Sequence, residues 1–474
     1  MTRAHPAGPR HGDVLASSAA PAPPAADGWQ LDPGIWPRGA RRSETDGALE
    51  IGGVPVTAVA AEHGTPVMVI SPDDVRSRAR DYLEAFTPLC PAGVDIYYAG
   101  KAFLASSVVR WLAAEGLGLD VCSGGELALG LAAGMPPERI LFHGNNKSDG
   151  ELAAALDAGV GRIVADSFDE LDRLSALAAE RGVVAPVLIR VTLGVEAHTH
   201  EFIATAHEDQ KFGFSLASGR AMTAAGRVLD DPHLRLVGVH SHIGSQIFVA
   251  SGFEVAARRA VGFLAQIRAE RGAAIGELNL GGGLGIKYTV ADQPLDVRQM
   301  APDIVGIVAR ECAAVQLPLP RLAFEPGRAI AGPGTVTVYR VGTIKRRTLE
   351  GGATRTYVSV DGGMSDNIRT ALYDAEYTVV LANRVSAAAP MLARVVGKHC
   401  ESGDIVIRDA WLPADLAAGD LLAVAATGAY NRSMASNYNL VPRPPVIAAS
   451  HGQTSVVLRR ETLADLFATD PHLA

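Results

Sequence analysis

Lys101 stands in the run Tyr97-Tyr98-Ala99-Gly100-Lys101-Ala102-Phe103, directly behind an apolar, strand-like segment. A lysine there points into an apolar mouth, where desolvation lowers the ammonium pKa and frees the amine for Schiff-base chemistry. A surface lysine that snorkels its charge to water reads the same way, so this residue alone leaves both readings open. Two further turns narrow the choice. Gly281-Gly282-Gly283-Leu284-Gly285 follows one apolar run, and Glu325-Pro326-Gly327-Arg328 follows the next. Successive glycines let backbone N–H groups approach an anion, and an arginine adds a planar charged fork. Tight turns also use glycine, and it is the pairing of the two loops that points to phosphate.

A phosphate cradle facing a Schiff-base lysine suggests pyridoxal 5′-phosphate, whose ring draws electrons from a substrate α-carbon. Glu325 suits that cofactor, because a carboxylate against the pyridine nitrogen keeps it protonated. The stretch His240-Ser241-His242-Ile243-Gly244-Ser245-Gln246 offers an imidazole to the ring and Ser245 to the phosphate, with a core histidine as the alternative. His198, His200 and His207 lie in a polar segment over 194–214 that reads as a substrate-selecting loop; no metal is expected there or elsewhere.

The elements that must position these groups follow from periodicity. Eight short apolar runs recur from Asp95: 95–99, 117–122, 140–143, 162–166, 187–191, 236–242, 277–280 and 321–325, with one helix-length segment between most of them. Strand and helix alternating eight times within about 250 residues predicts a (β/α)8 barrel of the TIM type, whose working side chains sit just after each strand. Beyond Pro326 the texture changes to short alternating strands with turn residues between, which predicts an antiparallel β domain. The predicted organisation is a disordered arm over 1–45, strands over 46–75 that join the β domain, a barrel over 76–328 and the β domain over 329–474.

The remaining composition limits the partners. Apolar residues make up 48% of the 474, and 43 Lys and Arg against 51 Asp and Glu leave a net charge of −8 without a long basic run. That balance fits a globular protein with a small-molecule partner and argues against a nucleic-acid footprint. No apolar stretch reads as a membrane span, and the Ala/Pro/Gly-rich start reads as an arm without a secretory h-region. Cys90, Cys122, Cys312 and Cys400 are too sparse for a disulfide framework and form no zinc spacing, which suits a reducing cytoplasm.

From about Gly47 to Val446 the chain resembles the fold-type III pyridoxal-phosphate decarboxylases, whose architecture is alanine-racemase-like. The resemblance rests on YYAGKAF, DVCSGGEL, HGNNKS, HSHIGSQ, NLGGGLGI, FEPGRAI, DGGMSDNIRTALYDAEY, GKHCESGD and GAYNRSMASNYN, in that order. It implies that Lys101 carries the cofactor, that His242 stacks on its ring, and that Ser245, Gly281, Gly282, Gly283 and the Pro326-Gly327-Arg328 turn bind around its phosphate. Glu325 then faces the pyridine nitrogen. The same resemblance gives Arg328, Arg369 and Tyr373 to the substrate, Glu401 to its distal ammonium and Tyr430 to both cofactor and substrate. Cys400 becomes the proton donor; a cysteine taken by itself reads more readily as an inert buried thiol, and it is the surrounding CESGD match that reverses the reading. Ser241 stands where the family commonly has Cys.

The expected reaction is decarboxylation of meso-2,6-diaminopimelate to L-lysine and carbon dioxide, the last step of lysine synthesis, by a cytoplasmic homodimer with active sites at the interface. Bidentate arginine suits a carboxylate that is retained, and a carboxylate suits a distal ammonium. Alternatives are a paralogue acting on ornithine, arginine or a carrier-bound glutamyl group, an amino-acid racemase, and a non-catalytic cofactor-binding protein. Arg369 argues against ornithine, which has no distal carboxylate, and the thiol of the CESGD motif argues against a racemase.

Overall fold

The computed structural model describes residues 30–194, 211–242, 244–249, 251–348 and 354–473. The chain divides into two compact units, one comprising the chain up to Val75 with Ile286–Asp292 and Ala331 onward, the other Arg76–Gly285 with Gln293–Ile330.

The second unit is the barrel. Its strands are β1 (Val94–Ala99), β2 (Gly118–Val121), β3 (Ile140–Phe142), β4 (Arg162–Ala165), β5 (Ala185–Thr192), β6 (Leu234–His240), β7 (Glu277–Asn279) and β8 (Arg321–Phe324). They pair in parallel in chain order, β8 returns to β1, and the ring closes. The short Phe214–Ser215 strand adds to the edge of β5. Each strand coincides with one predicted run, because strands covered on both faces must be apolar throughout. Tyr97, Leu141, Val164, Leu188 and Ala323 fill the interior, so the barrel is a packed core and not a pore. Ion pairs tie the N-terminal ends of the strands: Arg321 grips Asp95 through two hydrogen bonds of 2.5 and 2.6 Å, and Arg162 reaches Glu277 at 2.8 Å.

Three successive helices after β2, β3 and β4 start the same way. Ser123, Ser148 and Ser167 each accept a hydrogen bond from the backbone N–H of the glutamate three residues on, Glu126, Glu151 and Glu170. A serine N-cap satisfies one of the helix's orphan amides, and the glutamate complements the dipole. Two of these glutamates also reach the preceding repeat, Glu151 accepting from Gly124 N–H at 2.6 Å and Glu170 from the buried Lys147 ammonium at 2.6 Å. The strand ends at the barrel mouth are thereby held in fixed relation.

The other unit is a mixed sheet in the order 405–413, 390–396, 354–360, 335–348, 67–70, 446–450, 453–458, with 379–381 and 421–424 joined through 335–348. Most pairings are antiparallel, as the alternation predicts, but 354–360 with 390–396 and 67–70 with 446–450 are parallel. The chain ends explain the second parallel pair: Val67–Ile70 inserts between Thr335–Thr348 and Val446–Ser450, three segments distant in sequence. The expectation of a loose arm over 1–45 needs correction within the described residues. Ile35 and Trp36 are fully buried against Leu49, Ile51, Val69 and Val338, and Arg41–Arg42 pairs with Leu49–Ile51. Two large apolar side chains in a Pro/Gly-rich segment give no periodicity, yet they remove enough apolar surface from water to order it. Among the described residues no helix is long and apolar enough to cross a membrane.

Candidate active site

The barrel mouth gathers one polar group from almost every strand end. Lys101 lies in the turn Gly100–Ala102 immediately after β1. Asp120 is the last residue but one of β2, His143 follows β3, Arg190 lies in β5, His240 ends β6, Asn279 ends β7 and Glu325 follows β8. Glu325 is the hub. Its Oε1 accepts from Asn279 Nδ2 at 2.8 Å and meets His143 Nε2 at 2.9 Å, and His240 Nε2 lies 3.2 Å away. Asn279 continues the link, its Oδ1 accepting the Gly281 N–H at 2.8 Å. The Gly282 N–H in turn donates to His242 Nδ1 at 3.2 Å.

The glycine loop is close-packed. A Cβ on Gly282 would lie 2.2 Å from the Glu325 carbonyl oxygen, and one on Gly283 2.2 Å from the Gly244 carbonyl oxygen. Gly327 serves the same purpose for the other turn, since a Cβ there would lie 2.9 Å from Ala99 Cβ and 3.1 Å from Ala102 Cβ, on either side of Lys101. Arg328 Nη2 donates to Ser245 Oγ at 3.0 Å, which brings together the two side chains expected at the phosphate.

Burial sets the charge states. It opposes the charge on Glu325, but His143 and His240 outweigh it and hold this carboxyl well below the usual range. Burial lowers His143 and His240, and it lowers His242 further because Lys101 and Arg190 lie near. The hydrogen bonds agree: His242 Nδ1 accepts, and His240 Nδ1 is buried without a partner, so a second proton on either ring would be unsatisfied. Asp120 is pushed up to about 6 by burial, with His143 pulling the other way. The mouth thus centres on an ionised carboxylate bonded to two histidines whose own protonation burial disfavours.

These residues fit pyridoxal phosphate. An anionic carboxylate with its charge held down suits a protonated pyridine nitrogen, and a loop in which only glycine fits suits close approach of a phosphate. His143, His240 and Glu325 also have metal-ligand spacing, each offering an atom within 4.8 Å of the others. Those atoms already bond to one another, His Nε2 toward carboxylate, and the set closes without an ion. The histidines of the 194–214 segment at 198, 200 and 207 lie outside the described residues.

The β unit holds the remaining expected residues. Arg369 is buried and opens the short helix Arg369–Tyr373, which Tyr373 ends four residues on. Its Nη1 donates to Tyr288 Oη at 3.0 Å and Tyr377 Oη at 2.5 Å, and the guanidinium lies 5.0 Å from the centre of the Tyr288 ring. Cys400 and Glu401 are exposed on a loop held by Asp404, which accepts from the His399 N–H at 2.8 Å and the Met364 N–H at 2.6 Å. His399, next to the thiol, is fixed at both ring nitrogens, Nε2 to Ser365 Oγ at 2.9 Å and Nδ1 to Asn439 Oδ1 at 3.0 Å. Tyr438 Oη lies 3.4 Å from Glu401 Oε1, and Tyr430 is half-buried with φ of 64°.

Asp120, His143, Arg190 and Asn279 received no role from the sequence, although a signal was present. All four are polar residues closing or nearly closing the apolar runs LGLDVC, ILFH, VLIRV and ELNL, where a barrel strand delivers its side chain to the mouth. Tyr288 and Tyr377 had none, because their meaning lies in the arginine between them.

Comparison with known proteins agrees with this geometry. Residues 72–332 match the family model described as pyridoxal-dependent decarboxylase, pyridoxal binding domain. The diaminopimelate decarboxylase of Mycobacterium tuberculosis is 57% identical over 93% of this chain and 98% of its own, and that of Bacillus subtilis 44% over 91% and 97%. Among solved structures, diaminopimelate decarboxylase from M. jannaschii in co-complex with L-lysine superposes with a TM-score of 0.84 at 33% identity, covering 91% of this chain and 98% of the other. With the barrel, the lysine turn and the glutamate hub in place, this chain belongs to the diaminopimelate decarboxylases, within the pyridoxal-dependent decarboxylase family.

Proposed function

We propose that this chain removes one carboxylate of meso-2,6-diaminopimelate to give L-lysine and carbon dioxide, using pyridoxal 5′-phosphate. The observation that carries the cofactor reading is the Glu325 carboxylate, held ionised by His143, His240 and Asn279 at the centre of the same mouth as Lys101. When bound, the cofactor supplies an electron sink for the bond that breaks. Glu325 keeps a proton on the pyridine nitrogen, and neutral His242 covers the ring without adding charge. Gly281, Gly282 and Gly283, with Ser245 and the Pro326-Gly327-Arg328 turn, hold the phosphate through backbone amides and charge-assisted bonds. Lys101, in the turn directly behind the first barrel strand, is the residue that would hold the cofactor, through its side-chain amine.

In this reading Arg328, Arg369 and Tyr373 orient the substrate, with the retained carboxylate on arginine; Glu401 takes the distal ammonium, and Tyr430 contacts cofactor and substrate. Binding energy from the distal end aligns the departing carboxylate, a contribution made before the chemical step. Cys400 delivers the proton to the carbon that has lost carbon dioxide. The enzyme works in the cytoplasm as a homodimer in which one chain's Cys400 and Glu401 serve the partner chain's Lys101.

Mass-spectrometric detection of lysine from purified protein, pyridoxal phosphate and meso-diaminopimelate tests this directly, with ornithine and arginine alongside. Lysine from diaminopimelate alone is expected. Turnover of ornithine or arginine at a comparable rate would overturn the substrate assignment.

A further inference from the structure

The long hairpin of the β unit carries charge that the decarboxylase reading leaves unused. Register pairs Arg347 with Arg355, Lys345 with Tyr357, and Tyr357 with Arg394. Paired residues share a face of a sheet, so Lys345, Arg347, Arg355, Tyr357 and Arg394 lie on one side. In a chain of net charge −8, such a cluster is not what average composition gives.

The inner members of this face are unusual. Arg355 is 3% exposed and Arg394 8% exposed. Arg355 Nε and Nη1 and Arg394 Nη1 are buried with no hydrogen-bond partner, as is Nε of the neighbouring Arg408. Arg394 Nε donates to the Arg408 carbonyl at 3.0 Å, which fixes the direction of its guanidinium. Arg355 and Arg408 act on Arg394 as like charges, and Asp409 opposes them. Buried guanidinium donors are nearly always paired, and two adjacent ones left open leave charge and donors uncompensated together.

We propose that Arg355 and Arg394 form a binding site for a small oxyanion of the inorganic phosphate type. Planar N–H forks match the oxygens of such an ion, and one anion between two guanidinium groups would satisfy the open donors and cancel the like-charge repulsion. Lys345 and Arg347, exposed on the same face, give the approach a cationic rim. The donors are buried, which suits an ion a few ångströms across and not a macromolecular surface. This site belongs to the β unit and is separate from the phosphate-binding residues of the barrel.

The test is calorimetric titration of the holoenzyme, saturated with pyridoxal phosphate so that the barrel cradle is filled, with inorganic phosphate at ionic strength held constant by sodium chloride. One saturable site is expected, with affinity at least ten-fold weaker in R355K and in R394K, which keep the charge and lose the fork. R346K, exposed on the opposite face of its strand, should bind as the parent does. Retention of the cooperative unfolding transition in the lysine variants, with the loss confined to phosphate binding, supports the site. Absence of saturable heat in the parent, or equal affinity in R355K and R394K, overturns it.

Discussion

Cys400 and Asp120 show how one side chain's surroundings decide what it does. The Cys400 thiol is exposed on a loop whose backbone is fixed by Asp404 and whose neighbour His399 is held between Ser365 and Asn439. Under the proposed role of Cys400, a positioned proton donor contributes about 10²- to 10⁴-fold to a rate, so C400S should lower kcat by that order and leave KM for diaminopimelate nearly unchanged. A large rise in KM with kcat intact would assign the thiol to binding. Asp120 offers a prediction in stability. Burial raises this carboxyl from 3.8 to about 6, so the folded state takes up its proton more readily than the unfolded chain. Its contribution is therefore full below about pH 4 and is lost as pH rises through about 6, at about 1.4 kcal/mol per pKa unit. In denaturant unfolding of the apoprotein, D120N should flatten that decline and be the more stable protein at neutral pH. Parallel pH curves for the two proteins would refute the assignment.

At the level of the element, the barrel mouth depends on how its helices begin. Ser148 caps the helix Asp149–Ala158 in a full capping box, with Glu151 returning a bond to the Ser148 N–H at 2.9 Å. Replacing it by alanine should cost about 1 kcal/mol of stability, read from the denaturation midpoint, with kcat little changed. Glu151 also holds Gly124 N–H, so the cap couples two repeats. A drop well beyond 2 kcal/mol in S148A would mean that this coupling, more than the cap, is what the serine maintains.

The whole molecule is where the proposed dimer can be tested without a structure of it. K101A and C400A should each be inactive for different reasons. If each active site takes Lys101 from one chain and Cys400 from the other, mixing the two variants after dissociation restores about a quarter of parental activity, because half the dimers are mixed and each has one intact site. No recovery on mixing, with dimers re-formed, would put both residues in the same chain's site.

The eight barrel strands were legible in the sequence because strands buried on both faces must be apolar and short, and the turn behind each run marks its end. Lys101, Glu325 and the glycine loop could be read from that frame, since position after a strand is itself a chemical signal in a barrel. The Glu325 hub could not. Which of Asp120, His143, His240 and Asn279 meet depends on ring closure, which brings β3 and β6 to β8 across the mouth. The same holds for Ile35 and Trp36, whose role is set by strands more than three hundred residues away, and for Arg369, whose surroundings are Tyr288 and Tyr377. Local pattern fixes what a segment must bury and where it turns; only three-dimensional closure determines which polar groups share a low-dielectric space, and with it their charge.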